Sequence, residues 1–311
     1  MSTILALQIE LNVYFITIVY FTGTVTNLLN IIVFRRRTFR MNCCSWYFIC
    51  LSLSQILLLH ITCLLPLIIS WTDYNGFSSV DSLCKIRTYV SVFSLVLFRH
   101  LICTISIDRW VATSSSACFR KQNSPRNTRW TLVTSILLWS LLSIHVLCTY
   151  TAKGTSCSPI SDTTYEIFLI CYSIITSNGS FCIAMIFSTL TVMNIRQIRR
   201  QTDTTLPTTT ASTNAVLSAT LTRVRLTRAY KRNRRNRHFI RLAVFQTVLY
   251  LIFNFLSSFS PLLLCFNSLF HSQTAAIPSF ITSVHLIGCY LFYLYISVSA
   301  HENNKEINKS S

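Results

Sequence analysis

The sequence is short of acid. Its 311 residues include 9 Asp and Glu against 27 Lys and Arg, and charged residues of both signs make up only 12% of the chain. That is about half the share found in a soluble globular domain. A soluble protein needs polar groups to cover its outside, and this chain has too few, so lipid must cover part of it. The scarcity of acid leaves a net charge of +18. Such a balance accompanies either nucleic-acid binding or a membrane-side charge bias. Here the basic residues fall in short clusters between long apolar runs, not on one face that could track a phosphate backbone, so no nucleic-acid partner is expected. Metal and catalytic signatures are also lacking. There are 13 cysteines, yet no CxxC…CxxC or Cys/His ligand spacing occurs, which argues against a zinc site. Most of these cysteines are expected to act as small apolar helix residues. No HExxH, GxSxG or phosphate-loop pattern is present, so neither enzyme activity nor a cofactor is expected. Met1 to Leu11 contains no basic segment and no small-residue cleavage site. The expectation is that no signal peptide is cleaved and that the first apolar helix is itself the insertion signal.

Apolar length is what the chain has instead. A bilayer core of roughly 30 Å is crossed by about 20 apolar residues in a helix, because unpaired backbone groups are not tolerated in hydrocarbon. Apolar runs bounded by charges predict helices over 11–34, 43–71, 83–112, 130–152 and 165–196, the third with Arg99 inside it. After Arg241 comes a stretch of 60 residues without Asp, Glu, Lys or Arg, too long for one crossing. The polar break Asn267-Ser-Leu-Phe-His-Ser-Gln-Thr274 divides it into helices over 238–266 and 275–300. The expected fold is an all-α membrane protein, a single seven-transmembrane helix bundle.

Loop charge sets the expected orientation, since cytoplasmic loops carry the excess of Lys and Arg. The loop after helix one holds Arg35, Arg36, Arg37 and Arg40, and that after helix three holds Arg120, Lys121, Arg126 and Arg129. The third internal loop, 199–237, has ten basic residues and one acid. These three loops lie on one side, which places the N-terminus outside and the C-terminus inside. Within the long loop, Gln201 to Thr222 is rich in Thr and Ser and is expected to be disordered. The basic stretch from Thr222 to Arg241 extends helix six; its charge suits either lipid headgroups or a partner's surface.

Asp108-Arg109-Trp110 closes helix three at the internal edge. An arginine at that depth is costly unless it is paired or reaches water; Asp108 and the opening between helices are its two possible destinations. Cys84 precedes Arg109 by 25 residues, close to one tilted crossing, so the two mark opposite ends of one helix. Cys157 lies in the external loop between helices four and five. The outside is oxidising, so a Cys84–Cys157 disulfide is permitted and would staple that loop over helix three; the alternative is two free thiols. Arg99 lies in the middle of helix three beside His100. An intramembrane charge is a functional-site hypothesis by default, with a polar network joining helices as the other reading. Apart from Glu166 at the outer edge of the fifth, no acid occurs inside another predicted helix, and Gln55, Asn254 and carbonyls released at kinks are the groups it could meet.

These residues bring the chain to a resemblance. Over nearly its full length it resembles a rhodopsin-like (class A) G-protein-coupled receptor. The residues that carry the resemblance are Gly23-Thr-Val-Thr-Asn27, Leu51-Ser-Leu-Ser-Gln55, Cys84, Asp108-Arg109-Trp110, Trp139, Cys157 and Phe255-Leu-Ser-Ser-Phe259-Ser-Pro261. Cys84-Lys-Ile-Arg-Thr-Tyr89 and Ile107-Asp-Arg-Trp-Val-Ala-Thr-Ser114 look like FMRFamide-type peptide receptors and their invertebrate orphan relatives. The departures are specific. Gln55 stands where the family usually has Asp, Ser258-Phe-Ser-Pro261 replaces Cys-Trp-x-Pro, helix seven reads Gly288-Cys-Tyr-Leu-Phe-Tyr-Leu-Tyr295 without proline, and no proline occurs between Pro159 and Pro207. An amide at Gln55 predicts no strong sodium site, so sodium at physiological levels should leave agonist affinity unchanged.

The resemblance implies a plasma-membrane receptor that activates a heterotrimeric G protein. Pro261 would kink helix six, Phe255 and Phe259 would act as switches at that hinge or as plain packing residues, and Arg109 would meet the G protein. Asn27, Gln55 and Arg99 form the expected polar core. Thr88, Ser91, Val92 and Leu95 are the expected ligand-pocket residues. None of the four is acidic, which argues against an amine ligand. No lysine occurs between Arg241 and Lys305, so a retinal Schiff base cannot form there. A peptide ligand is expected. Asp73, Asp81, Asp162 and Glu166 are either its contacts or ordinary solvated loop charges. A seven-helix transporter or channel is the alternative, although such proteins usually show inverted repeats or paired intramembrane charges.

Overall fold

The computed structural model describes residues 2–36, 43–72, 79–114, 116–153, 156–160 and 163–204, which are mostly helical. The helices expected over 238–266 and 275–300, and with them Phe255, Phe259 and Pro261, lie outside the described residues, as does most of the 199–237 loop. In chain order the elements are α1 (Ser2–Arg35), α2 (Cys43–Leu59), α3 (Leu65–Thr72), α4 (Asp81–Thr113), α5 (Ala117–Gln122), α6 (Pro125–Leu142), α7 (His145–Thr149), the strands β1 (Tyr150–Lys153) and β2 (Ser156–Pro159), α8 (Thr163–Ile174) and α9 (Ser180–Thr204). A π-helical turn, His60–Leu64, joins α2 to α3, and a second, Ile175–Gly179, joins α8 to α9.

Among the described residues, five helical stretches are long and apolar enough to cross a membrane: Ile16–Arg35, Cys43–Ile69, Asp81–Thr113, Pro125–Thr149 and Thr163–Gln197. They are called the first to fifth spans below. Much of their surface is apolar and faces outward. Leu141 is 64% exposed, Ile175 70% and Met193 58%, and such faces are stable against lipid rather than water. The spans are also rich in Ser and Thr. Many of those hydroxyls are satisfied within their own helix: Thr22, Thr26, Thr62, Thr104, Ser106, Thr134 and Thr191 each donate to the carbonyl four residues earlier. Back-bonding of this kind lets a polar side chain sit in an apolar span without an unmet donor.

Three local features have visible causes. Pro66 lacks the N–H that an α-helix would donate to Thr62, and the chain opens into a π turn just before it, with Leu65 N–H reaching the His60 carbonyl. At the start of α6, Ser124 accepts from Asn127 N at 3.3 Å and Pro125 takes the first helical position. The fourth span therefore begins at Pro125, five residues before the expected start.

The expected helix over 130–152 is also corrected at its far end. The helix breaks at Ser143 and Ile144, resumes for the single turn of α7, and gives way at Tyr150 to β1. There the backbone hydrogen bonds go across the hairpin, with Thr151 opposite Ser158 and Ala152 opposite Cys157. Ile160 N–H donates to the Thr149 carbonyl at 2.8 Å and closes the base of the hairpin. At the other end of the fifth span, helical backbone continues to Thr204, so the first residues of the stretch expected to be disordered are helical.

α4 lies at the centre. It packs against α2 on one side and against α9 on the other, and α1 packs on α2. The main core joins Phe34, Phe48, Leu51, Leu101, Ile102, Ile105, Leu132 and Ala184, with Phe34 and Phe48 stacked 4.8 Å apart. It occupies the half of the bundle nearest Arg109. A smaller cluster of Val19, Leu59 and Cys63 lies in the half nearest Cys84.

Candidate functional site: the two ends of the third span

α4 carries both ends of the site on one continuous helix of 33 residues, about 50 Å long at 1.5 Å per residue. Its first turn is a junction. Cys84 is fully buried and bonded to Cys157 on β2, with Cα atoms 5.6 Å apart. Asp81, in the same turn, pairs with Lys85 at 2.6 Å and accepts a hydrogen bond from Ala152 N on β1 at 3.1 Å. Since Ala152 lies opposite Cys157 in the hairpin, the carboxylate and the disulfide hold the two strands to the same helical turn. Thr88 belongs to this junction as well: its hydroxyl donates to the Cys84 carbonyl at 2.9 Å and lies 3.4 Å from Cys157 Sγ. Ser91, Val92 and Leu95 follow along α4, each half-buried. Among them, Tyr89 donates its hydroxyl to the Ser140 carbonyl at 3.1 Å and stacks on Phe93.

Beside this junction lies an aromatic stripe that no sequence motif had marked. His145 on α7 meets Tyr165, Phe168 and Tyr172 on α8, with ring centroids 6.0, 5.1 and 5.1 Å away, and its Nδ1 is 3.0 Å from the Tyr165 hydroxyl. The i, i+3, i+7 spacing of the three α8 rings was the available signal. What the spacing could not reveal was that a histidine from the preceding span would fill the stripe. Tyr150, at the start of β1, is pushed above the usual tyrosine range by burial and, second, by Tyr165.

Midway along α4, Arg99 is buried, and Tyr172 at the foot of the aromatic stripe is its electrostatic neighbour. The next residue, His100, lies 2.9 Å from Ser135 Oγ and against Trp139. Ser135 donates its own proton to the Thr131 carbonyl, which leaves its oxygen to accept from His100 Nε2. The expected polar core is buried too. Asn27 donates to the Gly23 carbonyl at 2.9 Å, while its side-chain oxygen and that of Gln55 have no hydrogen-bond partner among the described residues.

At the other end, Asp108 and Arg109 are buried and joined by two hydrogen bonds to one carboxylate oxygen, from Nε at 3.1 Å and from Nη2. Of the two destinations open to Arg109 on sequence grounds, the structure shows the pairing with Asp108. Cys43, Cys44 and Tyr47 at the start of α2 are the electrostatic neighbours of this pair. Thr113, one turn on, donates to the Arg109 carbonyl. Trp110 turns away from the pair and joins two other elements, with its ring 5.4 Å from Phe119 on α5 and 5.2 Å from Phe187 on α9. Glu166 is exposed on the first turn of α8, whereas Asp73 and Asp162 lie outside the described residues. Among the described residues no group of three or more His, Cys, Asp or Glu could hold a metal ion.

No family model and no curated protein matches the chain.

Proposed function

We propose that the chain is a seven-helix receptor of the plasma membrane that binds an extracellular ligand, a peptide, at the Cys84 end of the bundle and activates a heterotrimeric G protein at the Arg109 end. One observation carries this reading: a single helix runs from a disulfide-held hairpin at one end to a buried, mutually bonded Asp108–Arg109 pair at the other. A transporter has no need of that arrangement. In a receptor, the hairpin frames the ligand on the oxidising side. The arginine is held in reserve on the other side, because a buried cation bonded to its neighbour can exchange that partner when an opening forms next to it. The charge distribution supports the same orientation, with the arginine-rich loops on the Arg109 side.

The chemistry at each end follows from its groups. The hairpin offers backbone and hydroxyl hydrogen bonds beside an aromatic stripe, a surface suited to amide groups and apolar side chains rather than to a lone ammonium. At the Arg109 end, a guanidinium freed from Asp108 presents five N–H donors in a planar fork, suited to backbone carbonyls at the end of a partner's helix. Arg109→Ala should abolish ligand-free and ligand-stimulated nucleotide exchange on a co-expressed G protein while leaving the protein at the cell surface. Exchange that persists in the variant would refute the proposal, and substrate flux without any exchange would favour the transporter.

A further inference from the structure

Two π turns interrupt the described spans, and only one has a cause in the sequence. The turn at His60–Leu64 precedes Pro66, but the turn at Ile175–Gly179 has no proline near it, the nearest being Pro159 and Pro207. A π turn contains one residue more than an α turn and leaves the helix on either side in register. Without proline to pin it, such a bulge is free to be absorbed, so whatever fixes it must come from another part of the molecule. Thr176 bonds back to the Tyr172 carbonyl and thus moves with its own helix. One bond that reaches it from another element is that of Cys103, on α4, whose thiol donates at 3.1 Å to the carbonyl of Ser180, the first residue beyond the bulge.

We propose that Cys103 is the latch of a bulge in the fifth span that can close into α geometry, and that this latch sets which face of α9 is turned toward α4.

With the bulge in place, Ala184, Ser188 and Thr191 form a buried stripe of small residues along α9, and Ala184 packs in the core against α4. Small residues let two helix backbones approach closely. If the bulge closes into α geometry, its extra residue is taken up and the half of the span nearest Arg109 rotates by about 100° and advances by about 1.5 Å. The positions now held by Ala184, Ser188 and Thr191 then fall to Ile183, Phe187 and Leu190. Ile, Phe and Leu do not fit at a spacing set by Ala, Ser and Thr, so the helix must move off α4. Phe187 must then leave the Trp110 ring, 5.2 Å away in the latched form. The bulge itself has room to close. A Cβ placed on Gly179 would meet no atom of the described residues within 4 Å, and Ser177, Asn178 and Gly179 are all weaker helix formers than Ala. A step of one residue is discrete, and it links a bond in the middle of the bundle to the aromatic contacts around Arg109.

The test uses the full chain in lipid nanodiscs, without ligand, carrying a trifluoromethyl-phenylalanine in place of Phe187 and read by fluorine NMR. The unaltered latch should give one resonance displaced by the Trp110 ring current, and Trp110→Leu marks the undisplaced position. Cys103→Val should add or shift to a resonance without the displacement. Cys103→Ser should keep the original spectrum, since its hydroxyl donates to the same carbonyl. Deleting Asn178 removes the extra residue while both halves stay in register, so Cys103→Val should have no effect in that background. An unchanged spectrum in Cys103→Val, an equal change in Cys103→Ser, or a change that survives the deletion would each overturn the proposal. If Cys103→Val does not assemble with its Cys84–Cys157 bond intact, Cys103→Ala removes the same donor with a smaller change of shape. Helix rotation is read without a G protein, so this result and that of Arg109→Ala can fail independently.

Discussion

The third span is held at its Cys84 end by a covalent bond and by charges left near water, and at its Arg109 end by a charge pair taken out of water. Both ends use one acid and one base. Asp81 and Lys85 keep side-chain exposures of 52% and 29%, whereas Asp108 and Arg109 keep 9% each. The exposed pair is screened by water and contributes little, so the disulfide makes that end permanent. The buried pair has little water to replace either partner, and losing one leaves an uncompensated charge. It is therefore strong toward disruption yet open to exchange for another partner of the same chemistry. One helix thus carries a permanent end and an exchangeable end.

Breaking the two ends in turn should give graded effects. Cys157→Ser should have the largest effect on stability, because the bond closes a loop with a sequence separation of 73, for which the chain-entropy term is about 4 kcal/mol. Thermal unfolding of the purified protein in nanodiscs measures it, and a loss smaller than that of the next variant would break the comparison. Asp108→Asn should cost about 3 kcal/mol, the low end of the scale for removing one partner of a buried charge pair, since the amide oxygen still accepts from Arg109. On the receptor reading it should also raise ligand-free nucleotide exchange, because Arg109 keeps its charge and loses its holder. Asp81→Asn should leave the unfolding temperature unchanged within error, since Lys85 and the Ala152 N–H both remain solvated; a loss as large as that of Asp108→Asn would show that exposure is not what separates the two pairs.

Much of this arrangement was legible in the chain, for identifiable reasons. Apolar runs between charges report spans directly, because hydrocarbon excludes charge over a fixed length. Cys84 and Arg109 report the two ends of one helix because 1.5 Å per residue converts sequence distance into depth. The fourth span was less legible. Its start is set by the Ser124 cap and Pro125, polar residues that belong to the helix without being apolar. At its far end, Tyr150-Thr-Ala is as apolar as a helix terminus but pairs with Ser156–Pro159 instead. The bulge at Ile175–Gly179 had no signal of its own. Asn178-Gly-Ser180 reads as a glycosylation sequon, yet its backbone is helical and lies inside the fifth span.

The amino-acid sequence by itself determined the quantities that depend on local composition and on distance along the chain. These are the apolar lengths, the bias of basic residues toward particular loops, the Pro66 bulge, and the placing of Cys84 and Arg109 at opposite ends of α4. The tertiary structure alone decided which groups meet. It turned Trp110 away from the Asp108–Arg109 pair and onto Phe119 and Phe187. It brought His145 among three rings of the fifth span, made Asp81 a second tie to the hairpin, and set the Cys103 thiol on the Ser180 carbonyl. Each of these contacts joins residues from different elements. No local pattern encodes such a contact, because it exists only once the helices have packed and fixed the rotation of each about its own axis.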